Sequence, residues 1–269
     1  MIPATLRYAR ASSVEHALEL LADPEARAIA GGQSLVPLLK LRVARPSVLV
    51  DISRLALRGV TATGSELRIG ALTTWDELLR TSELERPALA ALPECVSDIG
   101  DLQVRNLGTI GGSLAHADPA SDVPAVLLAL DASLLLRSPA GERTVAVADF
   151  ALGPFTTALE PQELLVEIAV PAPAPGSGSA YVSVEHPASG FALAGAAALV
   201  GADGRQTVAL TGVGSRPTLL PTGADPLEAV EESEILGDGF APADYRRHLA
   251  RTVAQRAIER ATARAEEDR

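Results

Sequence analysis

The chain has 269 residues, of which 47% are hydrophobic and 21% are charged, and its formal net charge at pH 7 is −11. This length allows about two domains with hydrophobic cores of their own. The acidic balance argues against nucleic acid or an anionic membrane surface as a partner. The single cysteine, Cys95, excludes an internal disulfide and an iron–sulfur cluster held by this chain alone.

The amino-terminal residues lack the apolar core of a signal peptide. No apolar run reaches the roughly 18–20 residues that a membrane helix needs. We therefore expect a cytoplasmic protein without membrane insertion.

Residues 1–57 predict a small α/β lobe. Ser12 and Glu15 form a capping-box pattern at the start of its first helix, and Ser34 is a candidate cap for its second. The elements predicted here are a helix from residue 14, a strand at 26–30, a helix at 35–41 and a strand at 48–52.

Residues 58–172 predict a second lobe that mixes strands and helices. Asp122, with Pro124 behind it, reads as an N-cap acid followed by a first-turn proline. The predicted strands are 67–71, 134–137, 144–147 and 164–170, and the predicted helices begin at residue 75 or span 86–92, 96–102 and 123–130.

Proline followed by glycine and serine indicates a linker over residues 173–179. Residues 180–269 then predict a smaller domain with strands at 180–184, 191–199 and 207–213 and helices at 225–236 and from 242 to about 266. In the last helix, Tyr245, Leu249, Val253 and Ala257 recur at helical spacing and predict its inward face.

Two glycine loops contain the residues that are best suited to bind a ligand. Ala30–Leu35 reads AGGQSL, and Gly108–Asp122 reads GTIGGSLAHADPASD. Adjacent glycines allow close approach to peptide N–H groups, and the flanking hydroxyls add donors that suit phosphate oxygens. We expect these loops to face each other across one dinucleotide and to hold its diphosphate with bare peptide amides.

Neither loop matches a Walker motif or the Rossmann GxGxxG pattern. The four histidines lack the spacing of a metal site, and no GxSxG nucleophile motif is present. The residues alone therefore indicate two anion-binding loops, with no metal ligands and no catalytic residues.

Five segments of the chain together resemble the flavin-binding medium subunits of molybdenum hydroxylases, of the aerobic carbon monoxide dehydrogenase and xanthine dehydrogenase type. These segments are Ala30–Arg42, Leu49–Ile52, Ile69–Thr74, Val104–Ala132 and His186–Ala192. The resemblance implies an α+β fold: a two-lobed FAD-binding domain of the vanillyl-alcohol-oxidase type (PCMH type) over 1–172. A smaller α/β carboxy-terminal domain, of the carbon monoxide dehydrogenase flavoprotein type, would follow.

The resemblance also implies which residues contact noncovalent FAD. The two loops match the diphosphate-binding segments, Asp122 matches an acid that hydrogen-bonds the cofactor, Leu165 lies toward the adenine, and Phe191 lies near the isoalloxazine ring. The residues matched in this way are Ala30, Gly31, Gly32, Gln33, Ser34, Leu35, Thr109, Ile110, Gly111, Gly112, Ser113, Asp122, Leu165 and Phe191.

The sequence departs from the family pattern at three positions. Gln33 replaces a histidine found in some members, which leaves diphosphate binding by peptide groups intact. Ser183 and Glu185 stand on a strand where relatives often carry lysine or arginine, which changes the charge near the flavin.

The function implied is an oxidoreductase subunit that takes electrons from [2Fe–2S] clusters on a small partner subunit and passes them to an external acceptor. A large partner subunit would carry the molybdenum cofactor, in a dimer of heterotrimers. Two alternatives stay open at this point. One is a stand-alone FAD-dependent oxidase or dehydrogenase, and the other is a nucleotide-binding or scaffold protein without redox activity. The sequence identifies neither the substrate nor the electron acceptor.

Overall fold

In the computed structural model, which describes residues 2–268, the first lobe is a three-stranded parallel sheet with two short helices. Its central strand, Val48–Asp51 (β3), has all four residues buried, and Arg7–Arg10 (β1) and Ala26–Ile29 (β2) flank it. The elements are β1 (Arg7–Arg10), α1 (Val14–Leu20), β2 (Ala26–Ile29), α2 (Leu35–Lys40) and β3 (Val48–Asp51).

The cap of α1 lies one residue later than the capping-box pattern predicts. Ser13, not Ser12, occupies the N-cap, and its hydroxyl accepts a hydrogen bond from the amide of His16 at 3.1 Å. Ser12 lies before the helix, with its hydroxyl 3.0 Å from Nδ1 of His16. A sequence pattern does not distinguish between two adjacent serines as the N-cap. In the structure the ring of His16 is within hydrogen-bond distance of the hydroxyl of Ser12, and Ser13 caps the helix.

The second lobe is built on a five-stranded antiparallel sheet with the strand order β4-β5-β10-β6-β7. Its elements are β4 (Val60–Thr63), β5 (Glu66–Gly70), α3 (Trp75–Leu79), α4 (Ala91–Ser97), α5 (Leu102–Leu107), α6 (Ile110–His116), α7 (Val123–Ala129), β6 (Ser133–Ser138), β7 (Gly141–Ala146), α8 (Val147–Phe150), β8 (Ala151–Gly153), β9 (Thr156–Thr157) and β10 (Leu164–Pro171). Strands β8 and β9 form a separate two-stranded sheet.

The main hydrophobic core lies in this second lobe. It contains Trp75, Leu92, Ile110, Leu127 and Phe150, each no more than 3% exposed. The helix predicted over 96–102 is wrong, because α4 ends at Ser97 and α5 begins only at Leu102. Gly100, with a positive φ of 53°, breaks the helix between them.

The carboxy-terminal domain is a four-stranded antiparallel sheet covered by two helices. Its elements are β11 (Gly178–Glu185), β12 (Ala192–Val200), β13 (Gln206–Thr211), β14 (Thr218–Leu219), α9 (Pro226–Glu232) and α10 (Ala243–Glu267). The linker predicted over 173–179 is shorter than expected, because Gly178 and Ser179 already belong to β11 and are buried. A Cβ on Gly178 would overlap the carbonyl oxygen of Ala261, so this glycine allows close packing against α10 instead of flexibility.

The inward face of α10 also differs from the prediction. Tyr245 is 48% exposed, whereas its neighbour Arg246 is 7% exposed. The rest of the buried face consists of one leucine, one valine and small residues: Leu249, Ala250, Val253, Ala254, Ala257, Ala261 and Ala265. Alanine allows the helix to approach the sheet closely, and helical spacing alone could not show which of two adjacent long residues would turn inward.

No helix in residues 2–268 is both long enough and apolar enough to cross a bilayer.

Candidate functional site

The structure brings the two glycine loops into direct contact. A Cβ on Gly31 would overlap the carbonyl oxygen of Leu107 and would lie 3.0 Å from Cα of Gly108. Only glycine permits this approach of two backbones. The first loop leaves the carboxyl end of β2 and the second leads into α6, so the contact joins the two lobes.

The loop at residues 31–34 has four consecutive amides available. Within residues 2–268, no acceptor receives a hydrogen bond from the amides of Gly31, Gly32, Gln33 or Ser34. Gly32 has a φ of +73°, and the hydroxyl of Ser34 makes no capping bond to α2. Successive amides around a left-handed residue form an anion-binding concavity, which fits a diphosphate.

The second loop behaves differently. The amide of Ile110 donates to the carbonyl of Thr73 at 3.1 Å, and that of Gly111 donates to the carbonyl of Ala71 at 2.9 Å. The amide of Gly112 donates to Oγ1 of Thr109 at 3.2 Å. The expectation of bare amides in both loops is therefore wrong for this one.

The second loop instead presents hydroxyl groups and a glycine surface. Oγ1 of Thr109 accepts one hydrogen bond and keeps its own proton to donate. At Gly112, apart from its chain neighbours and the backbone of its own helix, Oγ1 of Thr109 is the one atom of residues 2–268 within 4 Å of an added Cβ, at 2.7 Å. Gly111 has no such space, because an added Cβ would lie 2.6 Å from Cβ of Ala71. The open face of the loop is thus at Gly112.

Asp122 stands at the N-cap position of α7 as predicted, but its side chain makes no capping bond. Its Oδ1 accepts a short hydrogen bond from the hydroxyl of Tyr181, on β11 of the carboxy-terminal domain. Burial raises the pKa of Asp122 to about 7, the hydrogen bond from Tyr181 opposes this rise, and the charges of Glu185 and Asp98 add to it. Its proton therefore titrates near neutral pH.

The two apolar candidates lie in different surroundings. Leu165 is 6% exposed in β10 and packs in the core of the second lobe, whereas Leu164 and Val166 pack with the hydrophobic residues of the first lobe. Phe191 is 48% exposed and ends a turn in which the amide of His186 donates to its carbonyl at 2.8 Å. An exposed aromatic ring of this kind is available to pack on a flat ligand.

Two residues of the surroundings were not found from the sequence. Tyr181 and Thr211 both lie in strands, where alternating residues normally indicate core packing, yet both bond to the segment that ends in Asp122. In residues 2–268, no group of three or more histidine, cysteine or acidic side chains has the arrangement of a metal site.

The structure thus has paired glycine loops in contact between two lobes and an acid at the start of the next helix, an arrangement that suits an anionic ligand. Residues 4–173 match the family described as the FAD binding domain in molybdopterin dehydrogenase. The chain belongs to this family, and it is an FAD-binding oxidoreductase subunit of the molybdenum hydroxylase type.

Relatives match over almost the whole chain. The 6-hydroxypseudooxynicotine dehydrogenase complex subunit alpha of Paenarthrobacter nicotinovorans is 38% identical, with 98% of this chain and 97% of that protein aligned. The carbon monoxide dehydrogenase medium chain of Hydrogenophaga pseudoflava is also 38% identical, over 98% and 99% of the two chains.

A solved structure supports the fold. A chain of reconstituted CO dehydrogenase from Oligotropha carboxidovorans superimposes with a TM-score of 0.92 at 36% identity, covering 98% of this chain and 100% of that chain. The α+β fold with a PCMH-type FAD-binding domain is therefore confirmed.

Proposed function

We propose that this chain is the electron-exit subunit of a multisubunit molybdenum hydroxylase. It would receive electrons from [2Fe–2S] clusters on a small partner subunit, while a large partner subunit carries the molybdenum cofactor and oxidises the substrate. A dimer of such heterotrimers, located in the cytoplasm, is the assembly that we propose. The support is the near full-length similarity to chains named as subunits of dehydrogenase complexes.

The main support for the role of this chain is that four consecutive amides, at Gly31–Ser34, have no acceptor within residues 2–268 and lie beside the second glycine loop. Bound FAD supplies the ability to collect single electrons and to release them in pairs. We propose that the loop at 31–34 holds its diphosphate and that Thr109, Gly112 and Ser113 line the opposite side. Asp122 would accept a hydrogen bond from the cofactor, Leu165 would lie toward the adenine, and Phe191 would pack near the flavin ring.

The residues of this chain bind and orient the cofactor, and we assign none of them as acid, base or nucleophile in the oxidation of the substrate. The single cysteine, Cys95, is fully buried, and burial raises the pKa of its thiol well above the usual range. It is therefore neither exposed nor ionised at neutral pH, and it is unsuited to ligate a cluster. The stand-alone oxidase has no comparable support, because the relatives named above are subunits of complexes.

The test is purification of the tagged full chain from its native cells, followed by analysis for FAD, iron and molybdenum and for accompanying chains. We expect all three components, and we expect the flavin to be reduced rapidly only when the iron–sulfur chain is present. Recovery of a yellow single chain that oxidises a small molecule directly would instead support the stand-alone alternative.

A further inference from the structure

The segment 118–122 is held in place by the carboxy-terminal domain. The hydroxyl of Thr211 lies 2.7 Å from the carbonyl oxygen of Ser121 and 3.0 Å from that of Pro119. The amide of Gly212 also donates to the carbonyl of Pro119, at 3.0 Å. The hydroxyl of Tyr181 donates to Asp122 as well, so three donors of the domain bond to these five residues, the single proton of Thr211 serving one of its two carbonyls at a time.

The same segment bonds to the second glycine loop, because the hydroxyls of Ser113 and Ser121 lie 2.8 Å apart. A continuous set of hydrogen bonds therefore runs from Thr211 through Ser121 to the loop that we assign to FAD. Thr211 is 1% exposed and Tyr181 is 3% exposed, so water does not compete for these bonds.

Strand β12 has a glycine, Gly195, where the side chains of Tyr181 and Thr211 need room. A Cβ on Gly195 would overlap the hydroxyl of Tyr181 and would lie 2.8 Å from Cγ2 of Thr211. Gly195 pairs with Ser183 on one side and with Thr211 on the other. The missing side chain lets the tyrosine hydroxyl cross the sheet surface to Asp122.

We propose that Tyr181 and Thr211 are positioning residues for the FAD site, with Tyr181 orienting the carboxylate of Asp122 and Thr211 fixing Ser121 beside the second glycine loop. The affinity for FAD then depends on a domain that lies outside the FAD-binding lobes. This inference rests on the assignment of the FAD site and is independent of the partners and of the electron acceptor.

The groups that face Asp122 come from three parts of the fold. They are Tyr181 on β11, Glu185 at the end of β11, Cys95 on α4, and Asp98 just after α4. The tyrosine hydroxyl is the one group among these that favours the ionised carboxylate by a hydrogen bond. The ionised form accepts the bond from the cofactor, so FAD affinity should fall as the pH drops through about 7.

The experiment measures the FAD dissociation constant of the full chain by flavin fluorescence, from about pH 5 to about pH 9. In Tyr181→Phe the carboxylate loses its donor, its pKa rises, and we expect the fall in affinity to shift to higher pH. At neutral pH the dissociation constant should rise about tenfold. The matched control, Tyr245→Phe, removes an exposed hydroxyl and should leave the profile unchanged.

A second pair of variants keeps the inference testable if Tyr181→Phe does not fold. Thr211→Val should weaken FAD binding and Thr211→Ser should restore it, while Thr207→Val on the same strand should have no effect. A Tyr181→Phe or Thr211→Val protein with the wild-type affinity and the wild-type pH profile would overturn the inference and leave the FAD assignment standing. A uniform loss of affinity in Tyr181→Phe, without a shift of the profile, would reduce the tyrosine to a structural role.

Discussion

In the loop at residues 31–34 the peptide amides have no acceptor within the described chain, whereas in the second loop the amides of residues 110–113 are bonded to the protein. The first loop can therefore give its hydrogen bonds to a ligand without breaking others. The second loop has a fixed shape, because the carbonyls of Ala71 and Thr73 hold its first amides. Two glycine loops thus differ in what they offer a ligand: the first has free amides, and the second has a fixed backbone with hydroxyl groups.

The largest effect is expected from a substitution that breaks the contact between the two loops. In Gly31→Ala the added methyl overlaps the carbonyl of Leu107, so the two backbones must separate. We expect loss of FAD together with a decrease of about 1–3 kcal/mol in the free energy of unfolding. The measurements are flavin absorbance after purification and chemical denaturation.

Gly153→Ala is the matched control, because no atom of the described residues, its two chain neighbours aside, lies within 4 Å of its added Cβ. It should keep FAD and change stability by no more than about 0.5 kcal/mol. Full FAD retention by Gly31→Ala would contradict the role of this contact.

A change at Gly112 acts on the open face of the second loop. In Gly112→Val the added Cβ would lie 2.7 Å from Oγ1 of Thr109, so this buried oxygen must shift and its capping bond to the amide of residue 112 weakens. We expect no FAD retention, together with a decrease of about 1 kcal/mol in the free energy of unfolding from the weakened cap. Unaltered affinity, measured by fluorescence titration, would show that the diphosphate does not lie against this glycine.

The smallest expected effects distinguish the hydroxyls of the two loops. Ser34 makes no capping bond, so Ser34→Ala should leave stability unchanged and raise the FAD dissociation constant by about threefold to tenfold. Ser113 already pairs with Ser121, so Ser113→Ala should also lower the free energy of unfolding, by about 1 kcal/mol. An equal loss of stability in Ser34→Ala and Ser113→Ala would contradict this difference between a hydroxyl without a capping bond and a hydroxyl that is already hydrogen-bonded.

The helices, the strands and the two loops follow from local patterns, which is why the sequence alone predicts most of them. The helix predicted to begin at residue 75 is observed at Trp75–Leu79, with a capping box formed by Thr74 and Glu77, and the strand predicted at 48–52 is observed at Val48–Asp51. The resemblance to medium subunits, carried by five segments that include the two glycine loops, is confirmed by the family match.

The parts that the sequence did not predict depend on contacts between distant residues. The first amides of the second loop are bonded to Ala71 and Thr73, which follow β5, and the partner of Asp122 is Tyr181, 59 positions away. The burial of Arg246 instead of Tyr245 likewise depends on three acceptors: the carbonyls of Leu193 and Gly212 and the carboxylate of Asp238. No periodicity within one helix carries that information.

The guanidinium of Arg246 has a consequence for how the protein matures. It donates to the carbonyl of Gly212, and the amide of Gly212 donates to the carbonyl of Pro119. Arg246 is therefore linked through Gly212 to the segment that ends in Asp122, which lies more than a hundred positions earlier in the chain. A chain still emerging from the ribosome cannot complete this arrangement until α10 has been synthesised, so cofactor loading is expected to follow the synthesis of that helix.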